Sequence, residues 1–139
     1  MNTNELVEKF IESLIQETIT GMRKWKHLPR KQSGANNNQI IYETAFFEDE
    51  WHRILYEDSF ELHFETGFFF LVHERSESGR DGTVFDEYNL YIQSDVGTEP
   101  IMVANDTPEV YRLRNAIGNI KKDTLPDNII NMMNTFLTV

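Results

Sequence analysis

Residues 59 to 74 constrain the fold of this chain more than any other stretch. Ser59 to Glu65 alternate strictly, with Phe60, Leu62 and Phe64 on one side and Ser59, Glu61, His63 and Glu65 on the other. An apolar period of two is the mark of a strand with one buried face. Thr66-Gly67 reads as a tight turn. From Phe68 the alternation is lost, and Phe-Phe-Phe-Leu-Val-His-Glu is apolar on both sides for most of its length. Such a strand lies inside a sheet with cover on both faces, so a further element, such as a helix, is required on the second face. With Thr66 and Gly67 as the loop, Phe64 faces Phe69, Leu62 faces Leu71 and Phe60 faces His73. That register sends His63 and His73 to opposite faces.

The flanking segments follow other periods. Before the strands, Leu6, Phe10 and Leu14, with Val7, Ile11, Ile15, Ile19 and Met22 beside them, recur at helical spacing and predict an N-terminal helix with a broad apolar face. Asn2 and Glu5 suit a capping box at its start, and Gly21 suits its end. Strands are expected over Ile40–Phe47, Trp51–Tyr56, Thr83–Gln93 and Ile101–Ala104, with Ser76–Gly82 as a hairpin connection. In the strand Thr83–Gln93, Val84, Tyr88, Leu90 and Ile92 share one side and Phe85 and Tyr91 the other. Asp106 or Thr107 caps a helix with Pro108 near its first position and Val110, Leu113, Ile117 and Ile120 as its stripe. A last helix starts near Asp123-Thr124 with Ile129, Ile130, Met133, Phe136 and Leu137 on its apolar face. The expected fold is α+β: an N-terminal helix, an antiparallel β-meander of four to six strands, and two C-terminal helices packed on one sheet face. Neither a repeat nor a linker divides the 139 residues, which predict a single domain over 1–139.

The end of the first helix reads Thr18-Ile19-Thr20-Gly21-Met22-Arg23-Lys24-Trp25. This T-x-x-G-x-x-x-W pattern resembles small uncharacterised bacterial α+β proteins in which a helix ends in such a stretch, a β-meander follows and helix closes the chain. The resemblance implies that layout and a bacterial source. It carries no activity and no functional residue.

Chemistry is narrowed by what the chain lacks. It has no cysteine, which removes disulfides, thiolate zinc sites, iron–sulfur clusters and cysteine nucleophiles. G-x-S-x-G, S-x-x-K with its partners, the Walker loop and G-x-G-x-x-G are all missing. His27, His52, His63 and His73 match no metal-ligand spacing. No catalytic, cofactor-binding or metal-binding residue is therefore assigned, although an enzyme assembled from scattered groups such as Glu61, His63 and Asp86 stays open. No stretch approaches the roughly 20 apolar residues of a membrane span. Met1 to Glu5 are polar and acidic, unlike a signal peptide, and the expectation is a cytoplasmic protein.

Charge offers the most specific lead. The formal net charge is −10, which disfavours a nucleic acid partner and suits a basic protein partner. Yet Arg23, Lys24, Lys26, Arg30 and Lys31 crowd around Trp25, whereas Glu43, Glu48, Asp49, Glu50, Glu57, Asp58, Glu61 and Glu65 follow with Arg53 as the sole Lys or Arg among them. Trp25 amid cations could stack on bases, or could fold back over the sheet. The acidic run could face a partner, hold a hard cation, or simply solvate a sheet face. The leading expectation is a non-catalytic interaction protein, of inhibitor or immunity type, that uses a protein partner or self-association. Its candidate residues are Arg23, Lys24, Trp25, Lys26, Glu48, Asp49, Glu50, Glu61 and His63. The alternative is a small enzyme or ligand-binding protein with its site on the acidic sheet face around Glu61 and His63.

Overall fold

A computed structural model describes residues 2–29, 46, 48–95, 97–122 and 126–138. The expected strand over 40–47 (Phe46 apart), together with Arg30, Lys31, Glu43 and the start of the last helix near Asp123, lies outside them.

The element order is α1 (Thr3–Ile19), β1 (Lys26–His27), β2 (His52–Ile54), a 3₁₀ turn (Tyr56–Asp58), β3 (Phe60–Phe64), β4 (Gly67–Glu77), β5 (Val84–Gln93), β6 (Ile101–Asn105), α2 (Pro108–Lys122) and α3 (Asp127–Leu137). This is the α+β class. The sheet is antiparallel and open, ordered β1-β3-β4-β5-β6, with β2 also pairing with β4. No helix among the described residues is long and apolar enough to cross a membrane.

α1 begins as its sequence predicts. Asn2 caps it: the Glu5 amide donates to Asn2 Oδ1 at 2.8 Å, and the Asn2 side chain donates to Glu5 Oε1 at 3.2 Å. Gly21, at φ +83°, closes the helix in a conformation that suits glycine. The reversal brings Trp25 back along the helix, where its Nε1 donates to the buried Thr18 hydroxyl at 3.0 Å. Thr18, Gly21 and Trp25 thus form one local unit, a helix end tied to the segment that follows it. The buried face of α1 is narrower than the periodicity predicts. Ile11, Leu14 and Ile15 are buried, but Leu6, Ile19 and Met22 stand exposed, because the sheet and α2 meet only the middle of the helix.

The hairpin of β3 and β4 keeps the predicted faces but not the predicted register. Phe60 pairs with Leu71, Leu62 with Phe69 and Phe64 with Gly67, two residues from expectation. The loop is Glu65-Thr66, with Glu65 at φ +54°. Gly67 instead permits a close approach, since a Cβ there would come within 1.8 Å of the Gln93 carbonyl oxygen on β5. Because the shift is even, every side chain stays on its expected face.

Two cores result. On one face Phe60, Leu62, Phe69, Leu71 and Leu90 pack against Ile11, Leu14 and Ile15 of α1 and Val110, Leu113, Ala116 and Ile117 of α2. On the other, Phe70 and Val72 are covered by Leu28, Ile54, Tyr56 and Phe46. The second face is thus covered, as expected, and among the described residues the cover is β2, a loop and the 3₁₀ turn. Both C-terminal helices are present, but α1 and α2 are the pair that shares the first sheet face. The apolar side chains of α3 stand exposed.

Candidate functional site

The side of β4 away from β5 is shared. β3 pairs with its first half and β2 with its second, so the 3₁₀ turn sits opposite Val72 and His73. Ser59 mends the break. Its hydroxyl accepts from the His73 amide at 2.9 Å and donates to the Leu55 carbonyl at 2.8 Å, while the Leu55 amide donates to the His73 carbonyl at 2.9 Å. A turn fastened in this way holds Asp58 over the His73 ring.

Around Asp58 a charged network closes. His73 Nδ1 lies 2.9 Å from Asp58 Oδ2, and His73 Nε2 lies 3.2 Å from Asp86 Oδ1. Arg114 of α2 donates to Asp58 Oδ1 from Nη2 at 2.8 Å and from Nε at 3.2 Å. The Tyr88 hydroxyl donates to Asp58 Oδ2, and Arg75 donates to Asp86 from Nε at 2.8 Å. Burial pushes the Asp58 carboxyl up, but hydrogen bonds from Tyr88, His73 and Arg114 outweigh it and hold the group below the usual carboxylate range. Tyr88 is pushed up to about 12, first by burial and then by its bond to the Asp58 carboxylate. Asp86 is lowered chiefly by its bond to Arg75.

A second network occupies the opposite face one residue along β4. Glu74 is buried. His52 Nε2 lies 2.8 Å from its Oε1, and Asn89 and the Tyr91 hydroxyl each donate to its Oε2 at 2.6 Å. Asn105 donates to Asn89 Oδ1 at 2.8 Å and extends the network to β6. Burial, followed by the Glu74 bond, raises the Tyr91 phenol.

The sequence-derived candidates do not gather into one site. Trp25 covers the first core and bonds to Thr18, which takes it out of any stacking platform. Arg23 donates to Glu17 at 2.8 Å and lies over the Phe64 ring. Glu48 accepts from the Ile54 amide at 2.9 Å, and Asp49 Oδ1 from the amides of Trp51 and His52 at 2.7 and 2.8 Å, so both carboxylates serve the backbone of β2. Glu50 is exposed. His63 is exposed with its ring against Phe68. Pairing of β1 with β3 sets Lys26 opposite Glu61, so charges that are segregated along the chain meet at one sheet edge. Lys24 and Lys26 are exposed and make no ion pair with a described residue. Among the described residues no group of three or more His, Asp or Glu could hold a metal ion.

Of the network residues, the sequence singles out only Asp86 as a candidate reactive group. His73 and Tyr88 meet through the β4–β5 register, which the sequence reading did not assign. The arrival of Asp58 and Arg114 has no signal in the sequence either, being set by the interrupted pairing and by helix packing. No family model, curated protein or solved structure matches the chain.

Proposed function

We propose that this chain is a non-catalytic protein-interaction module, of the inhibitor or immunity kind, working in the bacterial cytoplasm. The observation that carries this reading is the saturation of the Asp58 network. A general base needs a lone pair turned toward a substrate proton. Asp58 spends its oxygens on His73, Tyr88 and two bonds from Arg114, and both His73 nitrogens face carboxylates. The constellation that most resembles reactive machinery thus ties the 3₁₀ turn, the sheet and α2 together. Chemistry left at the surface recognises more than it reacts: Lys24 and Lys26 at the β1 edge, with Glu50, Glu57 and Glu65 exposed on a chain of net charge −10. Such surfaces steer and select partners. The bacterial setting draws on the T-x-x-G-x-x-x-W resemblance.

The test is a tagged pull-down from bacterial lysate at low and moderate salt, with wild-type protein and Lys24→Glu/Lys26→Glu side by side. A stoichiometric partner that elutes as salt rises and is lost with the double variant supports the reading. A partner held equally by both proteins at both salts sinks it. Thermal stabilisation by a metal or metabolite, with no partner captured, would transfer the assignment to a ligand-binding protein.

A further inference from the structure

We infer that α3 is a self-association element, and that its apolar stripe is covered by the same helix of a second copy of this chain. Two features of the helix stand together. First, exposed large side chains are concentrated on this one short helix: Met132 is 71%, Leu137 76% and Phe136 78% exposed, and Ile129, Ile130 and Met133 are also exposed. These six lie at helical spacing along one side, with Asn128, Asn131, Asn134, Thr135 and Thr138 along the other. Second, beyond its first residue, Asp127, the helix is neutral. Asn128 to Thr138 hold no charged residue, in a chain of which 26% is charged.

Those two features together choose the occupant. Two copies that each carry a net charge of −10 repel at most approaches, and a contact between neutral surfaces avoids that cost. A basic partner would find no carboxylate on the stripe to select it. An anionic bilayer would find no Lys or Arg, which helices lying on such a surface carry on their polar side. A second copy brings the same stripe, and a two-fold axis sets like against like. The area suffices: six side chains so exposed offer on the order of 600 Å² per copy, approaching the roughly 800 Å² per partner of a standard interface. It also stands at the top of the roughly 300–600 Å² spanned by the largest apolar patch of a typical soluble monomer. Self-association through α3 is independent of the charged edge proposed above for a heterologous partner, and the two respond oppositely to salt.

Sedimentation velocity on the full chain over a dilution series is the measurement. The expected result is a species of twice 16.4 kDa whose dissociation constant is unchanged or lowered by added salt. Met133→Asp/Phe136→Asp should give a monomer at every concentration with an unaltered melting temperature of the body. The milder Phe136→Ala should weaken the dimer by about ten-fold or more, as expected for a buried aromatic anchor. Asn131→Asp, on the polar side, should leave it dimeric. A wild-type chain that is monomeric throughout overturns the inference, as does a dimer that survives the double substitution. A monomer that co-sediments with phosphatidylcholine vesicles through Phe136 overturns it in favour of a lipid surface. Loss of the dimer in Lys24→Glu/Lys26→Glu, with the α3 variants still dimeric, moves self-association to the charged edge.

Discussion

α2 and α3 are both amphipathic, separated by a few residues, and similar in the spacing of their apolar positions. They nevertheless behave as opposites. α2 buries Val110, Leu113, Ala116 and Ile117 against the sheet and α1, and it is pinned at both sides by arginines. Arg112 reaches Glu12 of α1, with Nη2 2.9 Å from Oε2, and Arg114 reaches Asp58. α3 has the more continuous apolar stripe and leaves it bare. Amphipathicity therefore states that a helix will be covered on one side. The ionic partners elsewhere in the chain decide what covers it: Glu12 and Asp58 wait for α2, whereas Asn128 to Thr138 of α3 carry no charge that could answer to such a site.

Four substitutions and one titration separate the two helices, in falling order of effect. Leu113 is fully buried, and Leu113→Ala is expected to cost about 2–5 kcal/mol, measured by urea unfolding. A loss below about 1 kcal/mol would mean that α2 is no better seated than α3. Arg114→Gln removes both bonds to Asp58 and should cost about 2 kcal/mol, the scale of a hydrogen bond to a charged group.

Acid titration sharpens the same contact. The folded Asp58 carboxyl is held below its ordinary value, so its share of stability is present above about pH 4, the unfolded value, and is lost as pH falls through the folded one. Asp58→Asn should flatten unfolding stability against pH in that acid window. An unchanged slope would assign the acid sensitivity to other carboxylates. Tyr88 works with the opposite sign: its phenol is raised to about 12, so its contribution is intact below about pH 10 and fades as pH climbs to about 12.

Arg112→Gln breaks an ion pair that is about half exposed at both ends, and solvent screening should leave the urea unfolding midpoint almost unmoved. Smallest of all, Phe136→Ser at concentrations where the chain is monomeric should move stability by less than about 0.5 kcal/mol. A large loss there would place Phe136 in a core and dissolve the contrast between the helices.

Much of this architecture is legible in the residues, to different depths. The period of two in Phe60–Phe64 and Val84–Gln93 determines which side chains share a face, and those faces hold. Register is not legible. Gly67 looks like half of a turn, yet its lack of a Cβ serves the approach to the Gln93 carbonyl, and the left-handed turn position falls to Glu65. Trp25 can be read two ways until the Thr18 hydroxyl supplies its partner, and the T-x-x-G-x-x-x-W spacing then becomes a description of a helix end. The Asp58 network is the least accessible. Asp58 and Arg114 lie 56 positions apart, and no periodicity relates a residue on a 3₁₀ turn to one on a helix. Charge patches along the sequence mislead for a similar reason, since β1 pairs with β3 and sets Lys26 beside Glu61.

The pairing of α1 with α2 also imposes an order in time. β3, β4 and β5 are neighbours along the chain and can assemble as successive hairpins, with short loops to close. The layer above them cannot: Glu12 and Arg112 lie 100 positions apart, so α1 waits until α2 has been synthesised. Throughout that interval Ile11, Leu14 and Ile15 have no α2 to complete their cover. A chain caught between the two events therefore carries an amphipathic helix whose sticky side only the later arrival of Val110, Leu113 and Ile117 can close.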